Sequence, residues 1–221
     1  MATDPQVIKT LTSLSTAVVS DAVDRLGIDA QASQILRISG TATVAGPAFT
    51  IQYVPVGTEG GTVGDYIDDV EPGSIIVLSN NARTDCTIWG GLLSEVAVAR
   101  GIVATAIDGT CRDTERADAV GYSLFARNRW MRTGKDRVRA EKMQVAVSLG
   151  GILVRPTDVL VGDNDGIVVL PHERVEEIAQ LAAQIEEAEQ AIHIDAVEKG
   201  MRLDEARRQH GYHNLQTRTQ A

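Results

Sequence analysis

Apolar residues recur along this chain with two periods, one near 3.6 and one of 2, and the switches between them divide it into elements. Leu14, Val18, Ala22 and Leu26 fall on one face of a helix predicted over 11–26, with Ser13, Ser15 and Thr16 as candidate caps and Gly27 as its stop. Between 35 and 56 the pattern alternates and is broken by Gly40, Gly46 and Pro47, which predicts two or more strands joined by turns. A short helix is expected over 61–70. At 75–78 an unbroken run, Ile75 to Leu78, predicts a buried strand.

Residues 88–99 place Ile88, Leu92, Val96 and Ala99 on one helical face, closed by Arg100-Gly101. The segment IVATAID then reads as a second buried strand, ending in a turn at Gly109-Thr110-Cys111 with Arg112-Asp113 at the start of another helix. Open α/β sheets place ligands at the carboxyl ends of such strands. YSLFAR predicts a strand, and 128–142, polar and basic, an exposed excursion. Three short strands are expected at 152–154, 159–161 and 167–170, separated by Pro156 and by Asp163-Asn164-Asp165-Gly166. Over 172–198 the residues Val175, Ile178, Leu181, Ile185 and Ile192 lie on one side and many Glu on the other, the pattern of a long amphipathic helix. A polar tail, loose or docked on a neighbour, is expected over 204–221, leaving 1–203 as a single α/β domain.

The length suits one domain, and with aromatics at only 4% the core must be built from Val, Ile, Leu and Ala. Thirty acidic against 21 basic side chains give a net charge of −9, which repels a phosphate backbone, so no nucleic-acid partner is expected. Cys86 and Cys111 stand alone, without a CxxC pair or a nearby His, so neither a zinc site nor a disulfide is predicted and a reducing compartment fits. The start, Met1-Ala-Thr-Asp-Pro5, lacks a basic region followed by an apolar stretch, and no apolar run reaches the length of a membrane span. A soluble, cytoplasmic protein with no membrane partner is expected.

Candidate chemistry centres on Arg112-Asp113. The carboxylate can hold a hard cation such as Mg²⁺ or Mn²⁺, which keeps several waters and needs only one or two protein carboxylates. The guanidinium can form paired hydrogen bonds to a carboxylate or to an oxygen gaining negative charge. A small 2-oxo acid spans both. Taken alone, the pair reads equally as a surface ion pair or a helix-start Asp. Upstream, Trp89-Gly90-Gly91-Leu92-Leu93 opens a helix with glycines, which leaves backbone N–H groups free to face an anion. Gly90-Gly91 by itself is also a plain turn; the combination is what points to a site. Asp163, Asp165 and Gly166 lack the distal Glu of a calcium loop, and the glycines of 57–61 lack the Lys-Ser/Thr ending of a phosphate loop. His172, His193, His210 and His213 are scattered, none of the four lysines, Lys9, Lys135, Lys142 and Lys199, reads as a buried amine, and Asp108 reads first as a support for its turn.

The segments WGGLLSEVAVARGIVATAIDGTCRD, GGILVRPTDVLVGDNDGIVVLP and LSTAVVSDAVDRLG resemble the RraA-like family over residues 11–200. That family includes 4-hydroxy-4-methyl-2-oxoglutarate and 4-carboxy-4-hydroxy-2-oxoadipate aldolases, which also decarboxylate oxaloacetate, and the regulator of ribonuclease E activity. The resemblance implies a layered α/β/β/α sandwich with a long C-terminal helix, assembled as a homotrimer or a hexamer of two trimers. It implies a divalent-metal-dependent lyase that releases pyruvate, with Asp113 as metal ligand and Arg112 stabilising the enolate. The N–H groups of Leu92 and Leu93, presented by Gly90-Gly91, would hold the pyruvate carboxylate. A second carboxylate would come from the C-terminal helix of an adjacent subunit, where Glu187 and Glu189 lie near the corresponding place, Glu189 being the one taken as the ligand. The aldolase pattern is an Asp, twenty residues, then Arg-Asp; here Gly91 stands in place of that Asp and offers no side chain to orient metal-bound water. Without that Asp, metal-bound water assisted by another carboxylate such as Asp85, just ahead of the loop, would serve proton transfer, and decarboxylation is the less demanding reaction. The family's other branch implies a non-catalytic protein that binds and inhibits ribonuclease E.

Overall fold

The computed structural model describes residues 3–58 and 60–212. Helices α1 (Pro5–Thr12) and α2 (Thr16–Arg25) replace the single helix expected over 11–26. The break is made by Ser15, whose extended backbone turns its hydroxyl onto the Val18 N–H at 3.2 Å and so starts a new helix instead of continuing the old one.

Strand β1 (Leu36–Ser39) is followed by β2 (Val44–Pro55), which is long enough to be shared between two regions of the sheet. A 3-10 turn at Asp65–Asp69 occupies the place of the short helix expected over 61–70. Then β3 (Ile75–Ser79), α3 (Gly91–Ala99), β4 (Ala104–Cys111), α4 (Thr114–Ala119) and β5 (Ser123–Arg129) alternate, and β3, β4 and β5 pair in parallel. The carboxyl ends of these strands and the amino ends of the helices that follow them therefore gather on one edge. β4 runs straight through Gly109-Thr110-Cys111 where a turn was expected, since Thr110 sends its hydroxyl to the Cys86 carbonyl at 2.7 Å and pairs with Thr87.

The segment 128–142, expected as an exposed excursion, is partly sheet: β6 (Val138–Met143) pairs antiparallel with the end of β2. Its charges conceal a period of two, with Val138 buried and Ala140 packed against the core while Arg139 and Glu141 pair with each other at 2.8 Å. A small hairpin of β7 (Val147–Leu149) and β8 (Ile152–Val154) precedes β9 (Val159–Asp163) and β10 (Gly166–Leu170). The chain then enters α5 (Val175–His193), extended by a π turn at Ile194–Glu198. Part of the expected tail is α6 (Leu203–Gln209), tied down where His210 Nε2 meets the buried Asp195 carboxylate at 2.7 Å. The remainder of that tail, with His213, lies outside the described residues.

The large sheet is eight-stranded, ordered β1-β5-β4-β3-β2-β9-β10 with β6 added on β2. It nearly closes, because the stretch before β1 bonds to β10 through Ala32 N–H to the Ile167 carbonyl and Val169 N–H to the Ala30 carbonyl. Inside lies a core of Ile35, Val77, Ala106, Phe125, Leu160 and Val169, capped by Leu149 and Val154 of the hairpin. There Gly162 lies so close to Phe125 that a Cβ would sit 2.8 Å from its ring. Against one outer face, α3 and α4 pack on Ile76, Leu78, Ile107 and Leu124; against the other, α1, α2 and α5 pack on Val159, Val161, Val168 and Leu170. Helix, sheet, sheet and helix thus form four layers in the mixed α/β arrangement. No helix among the described residues is long and apolar enough to cross a membrane.

Candidate active site

The segment after β3 turns back beside the end of β4: Ile88 N–H donates to the Thr110 carbonyl at 3.2 Å and Arg112 N–H to the Trp89 carbonyl at 3.0 Å. These bonds bring Gly90-Gly91 against Arg112-Asp113. Trp89 anchors the turn. Its indole is buried, stacks on Tyr122 with centroids 6.0 Å apart, and donates from Nε1 to the Ser94 hydroxyl at 3.0 Å. The pattern along the chain places Trp89 at the start of this segment without assigning it this anchoring role; its signal is a rare aromatic residue directly before two glycines.

Gly90 is the N-cap of α3 and carries no side chain to cap it, so the first intrahelical bond is Ser94 N–H to the Gly90 carbonyl at 3.2 Å. The N–H groups of Leu92 and Leu93 precede that bond and have no intrahelical acceptor. Gly91 N–H donates to Asp113 Oδ2 at 3.2 Å. Asp113 itself stands between β4 and α4 in a left-handed conformation, φ 57° and ψ 38°, a costly state for a side-chain-bearing residue and one that clusters at functional sites. Its carbonyl starts α4 by accepting from Arg116 N–H at 3.0 Å. Arg112 Nε lies 3.6 Å from Asp113 Oδ2, and both side chains are about two-fifths exposed. Among the described residues the Arg112 guanidinium makes no hydrogen bond, so its donors are open to a ligand.

These groups line a cleft of about 230 Å³ that also takes in Leu92, Leu93 and Arg116. With a liquid water occupying ~30 Å³, this is room for a ligand of a few carbons. No group of three or more His, Cys, Asp or Glu side chains placed to hold a metal ion occurs among the described residues. Asp113 alone, with Oδ2 engaged by Gly91 and Oδ1 uncommitted, fits a hard cation that retains most of its own water.

The other expected site residues fall elsewhere. Asp85 does not line the cleft: Arg83 grips its carboxylate through Nε and through Nη2 at 3.0 Å, and this bond holds its pKa below the usual carboxylate range. Glu189 lies on α5, in the opposite helical layer, where it accepts from the Tyr212 hydroxyl at 2.8 Å. Asp108 is buried and saturated by Arg127 and by Gly150 N–H at 3.1 Å, a supporting role. Asp163 receives Thr16 and Asp165 and serves as turn and helix anchor. Cys111 is buried next to Arg112, and burial pushes its thiol up to about 12, so it is no nucleophile near neutral pH.

Comparison with known proteins adds the following. The family model described as RraA-like, Aldolase/RraA, matches residues 16–169. A protein of Halalkalibacterium halodurans named as a putative 4-hydroxy-4-methyl-2-oxoglutarate aldolase is 31% identical over 77% of this chain and 79% of its own length. Protein DlpA of Legionella pneumophila is 34% identical over 95% of this chain, which spans only 34% of that protein. Among solved structures, an uncharacterized protein from Pseudomonas syringae pv. tomato superimposes with a TM-score of 0.87 at 38% identity, covering 94% of this chain and 99% of that one. A Streptomyces coelicolor protein described as an unusual member of the RNase ES inhibitor RraA family superimposes with a TM-score of 0.75 at 26% identity, covering 85% and 96%.

Proposed function

Because the chain belongs to the RraA-like family, we propose that it is a divalent-metal-dependent lyase acting on small 2-oxo acids, with decarboxylation of oxaloacetate as the reaction its groups support best. The observation that carries this reading is the cleft in which Arg112 and Asp113 meet the uncapped start of α3. Leu92 and Leu93 N–H groups, at the positive end of the helix, bind the ligand's carboxylate. Arg112 directs its free donors at the 2-oxo oxygen, where negative charge grows as the C–C bond breaks. Asp113 holds Mg²⁺ or Mn²⁺, which when bound supplies an electron sink beside C2.

Decarboxylation is favoured over aldol cleavage on the side chains present. Cleaving an aldol requires removal of the 4-hydroxyl proton, and among the described residues no carboxylate or imidazole other than Asp113 lines the cleft. Loss of CO₂ requires no such base. The carbanion it leaves takes its proton from solvent, which reaches Arg112 and Asp113 through their exposed faces.

The test is pyruvate release from oxaloacetate with Mg²⁺ or Mn²⁺. Release that exceeds the spontaneous rate, needs the cation and disappears in Asp113→Ala is expected; release no faster than background with either cation overturns the reading. A second reading, a non-catalytic regulator that binds a ribonuclease, draws on the missing side chain at Gly91 and on the exposed Trp130 and Met131 beside Arg112 and Asp113. An inert protein that captures a ribonuclease in the same experiment would establish it.

A further inference from the structure

Gly91 lies in the first turn of α3 outside the left-handed region, so its backbone does not require glycine. What distinguishes the position is the side chain that fills the space beside it. A Cβ at residue 91 would sit 2.7 Å from Cδ of Arg116 and 3.0 Å from its Cβ and Nε, closer than side chains pack. Arg116 thus lies over the helix entrance in the room that a side chain at 91 would take.

Glu95, one turn further along α3, holds it there: its carboxylate accepts from Arg116 Nε at 3.0 Å and from Nη2 at 2.8 Å to each oxygen. Nη1 is left without a partner among the described residues. Arg116 lines the cleft and Glu95 does not, so the carboxylate backs the guanidinium from outside. A Cβ on the neighbouring Gly90 would lie 3.4 Å from Arg112 Nε. The two guanidinium groups are therefore indexed to residues whose Cα atoms are ~3.8 Å apart. The cleft so holds two arginines against one carboxylate, Asp113, in a chain whose net charge is −9.

We propose that Arg116 is a specificity-determining residue: positioned by Glu95 in the room left by Gly91, it binds a second anionic group on the ligand. The site then selects 2-oxo acids with a distal carboxylate over monocarboxylates of the same length. This rests on the cleft being a 2-oxo acid site. The first carboxylate is provided for by Leu92 and Leu93 and the 2-oxo oxygen by Arg112, whereas Nη1 of Arg116 has nothing to meet it among the described residues, and a guanidinium suits a carboxylate there better than an ammonium would. Were Arg116 only a tie between α3 and α4, its removal would alter stability slightly and ligand preference not at all, since its exposed pair with Glu95 contributes little.

Calorimetry on the full chain with Mg²⁺ present, using pyruvate, 2-oxoglutarate and 2-oxopentanoate as probes, tests this. Wild type is expected to bind 2-oxoglutarate about tenfold more tightly than 2-oxopentanoate, a difference of ~1.4 kcal/mol. Arg116→Gln should bring the ratio to about one while leaving pyruvate affinity within a factor of about two, and Arg116→Lys should restore part of it. Pyruvate binding with equal affinity for the two longer acids in wild type, or a ratio unchanged in Arg116→Gln, overturns the proposal and leaves the 2-oxo acid reading intact. Failure of pyruvate itself to bind removes both. Should Arg116→Gln not fold, Glu95→Gln reads the same ratio, with a fall of a few-fold expected and no change overturning the proposal.

Discussion

Two helix entrances in this protein each meet an aspartate from a distant strand end, and they are finished in opposite ways. At α2, Ser15 caps the helix from within, and Asp163 accepts from Thr16 N–H at 2.8 Å, Thr16 Oγ1 at 2.6 Å and Asp165 N–H at 2.9 Å. At α3 the cap is a glycine, and Asp113 accepts a single N–H at 3.2 Å while the next two stay open. The same pairing of carboxylate and helix dipole is a structural rivet where it is saturated and a binding site where it is left incomplete. The backbone reinforces the contrast, since Asp113 holds a left-handed conformation and Asp163 does not.

The largest effect that tests this contrast is expected from Asp113→Ala, which should lower metal-dependent pyruvate release from oxaloacetate by about 10²-fold or more, as removal of a key electrostatic group does. Near-normal turnover would show that α3 is as inert as α2. Asp163→Ala should do the reverse, leaving pyruvate affinity intact and lowering stability in urea by about 1–2 kcal/mol, the scale of hydrogen bonds to a partly screened charge.

Asp163 also predicts a pH effect. Burial works to raise its pKa, but hydrogen bonds from Thr16 and Asp165 and the charge of Arg37 prevail and hold it below the usual range. A group depressed in the folded state stabilises above its unfolded value, ~3.9, and loses that contribution as pH falls through the folded value. Wild type should therefore lose part of its stability below about pH 4, and Asp163→Asn should show a shallower acid limb in urea titrations across that range. An identical limb in both proteins would remove Asp163 from the account.

The smallest effect is the most direct conversion of one entrance into the other. Gly90 has φ −149°, an extended backbone any residue adopts. Gly90→Ser should give α3 its own cap on Leu93 N–H and weaken pyruvate binding a few-fold, while the few tenths of a kcal/mol that the cap adds are offset by a Cβ placed 3.1 Å from Asp113 Oδ2. Unchanged affinity by calorimetry would show that the first-turn N–H groups do not hold the ligand.

Much of this architecture was legible in the residues. The runs at 75–78, 159–161 and 167–170 became strands because their apolar side chains leave no solvent face, the run at 152–154 became one with Leu153 turned outward between buried Ile152 and Val154, and α5 formed where its apolar stripe has a sheet to cover. The glycines before α3 and the Arg-Asp pair after β4 were readable as chemistry because helix starts and strand ends are set by local spacing. β6 was concealed because its outward residues are charged, and the break before Ser15 because a serine cap and a helical serine look alike in one dimension.

By itself, then, the sequence determined which residues could act, through periodicity, capping and the donors each side chain carries. Tertiary structure alone decided which of them meet. Arg112 faces Gly90 across more than twenty residues because the segment before α3 bonds alongside β4, a pairing no local pattern specifies. That same packing placed Glu189 in the far helical layer and laid Arg116 over Gly91. Side-chain period is a property of a few neighbouring residues, whereas strand order and layer packing depend on the whole chain closing around its cores.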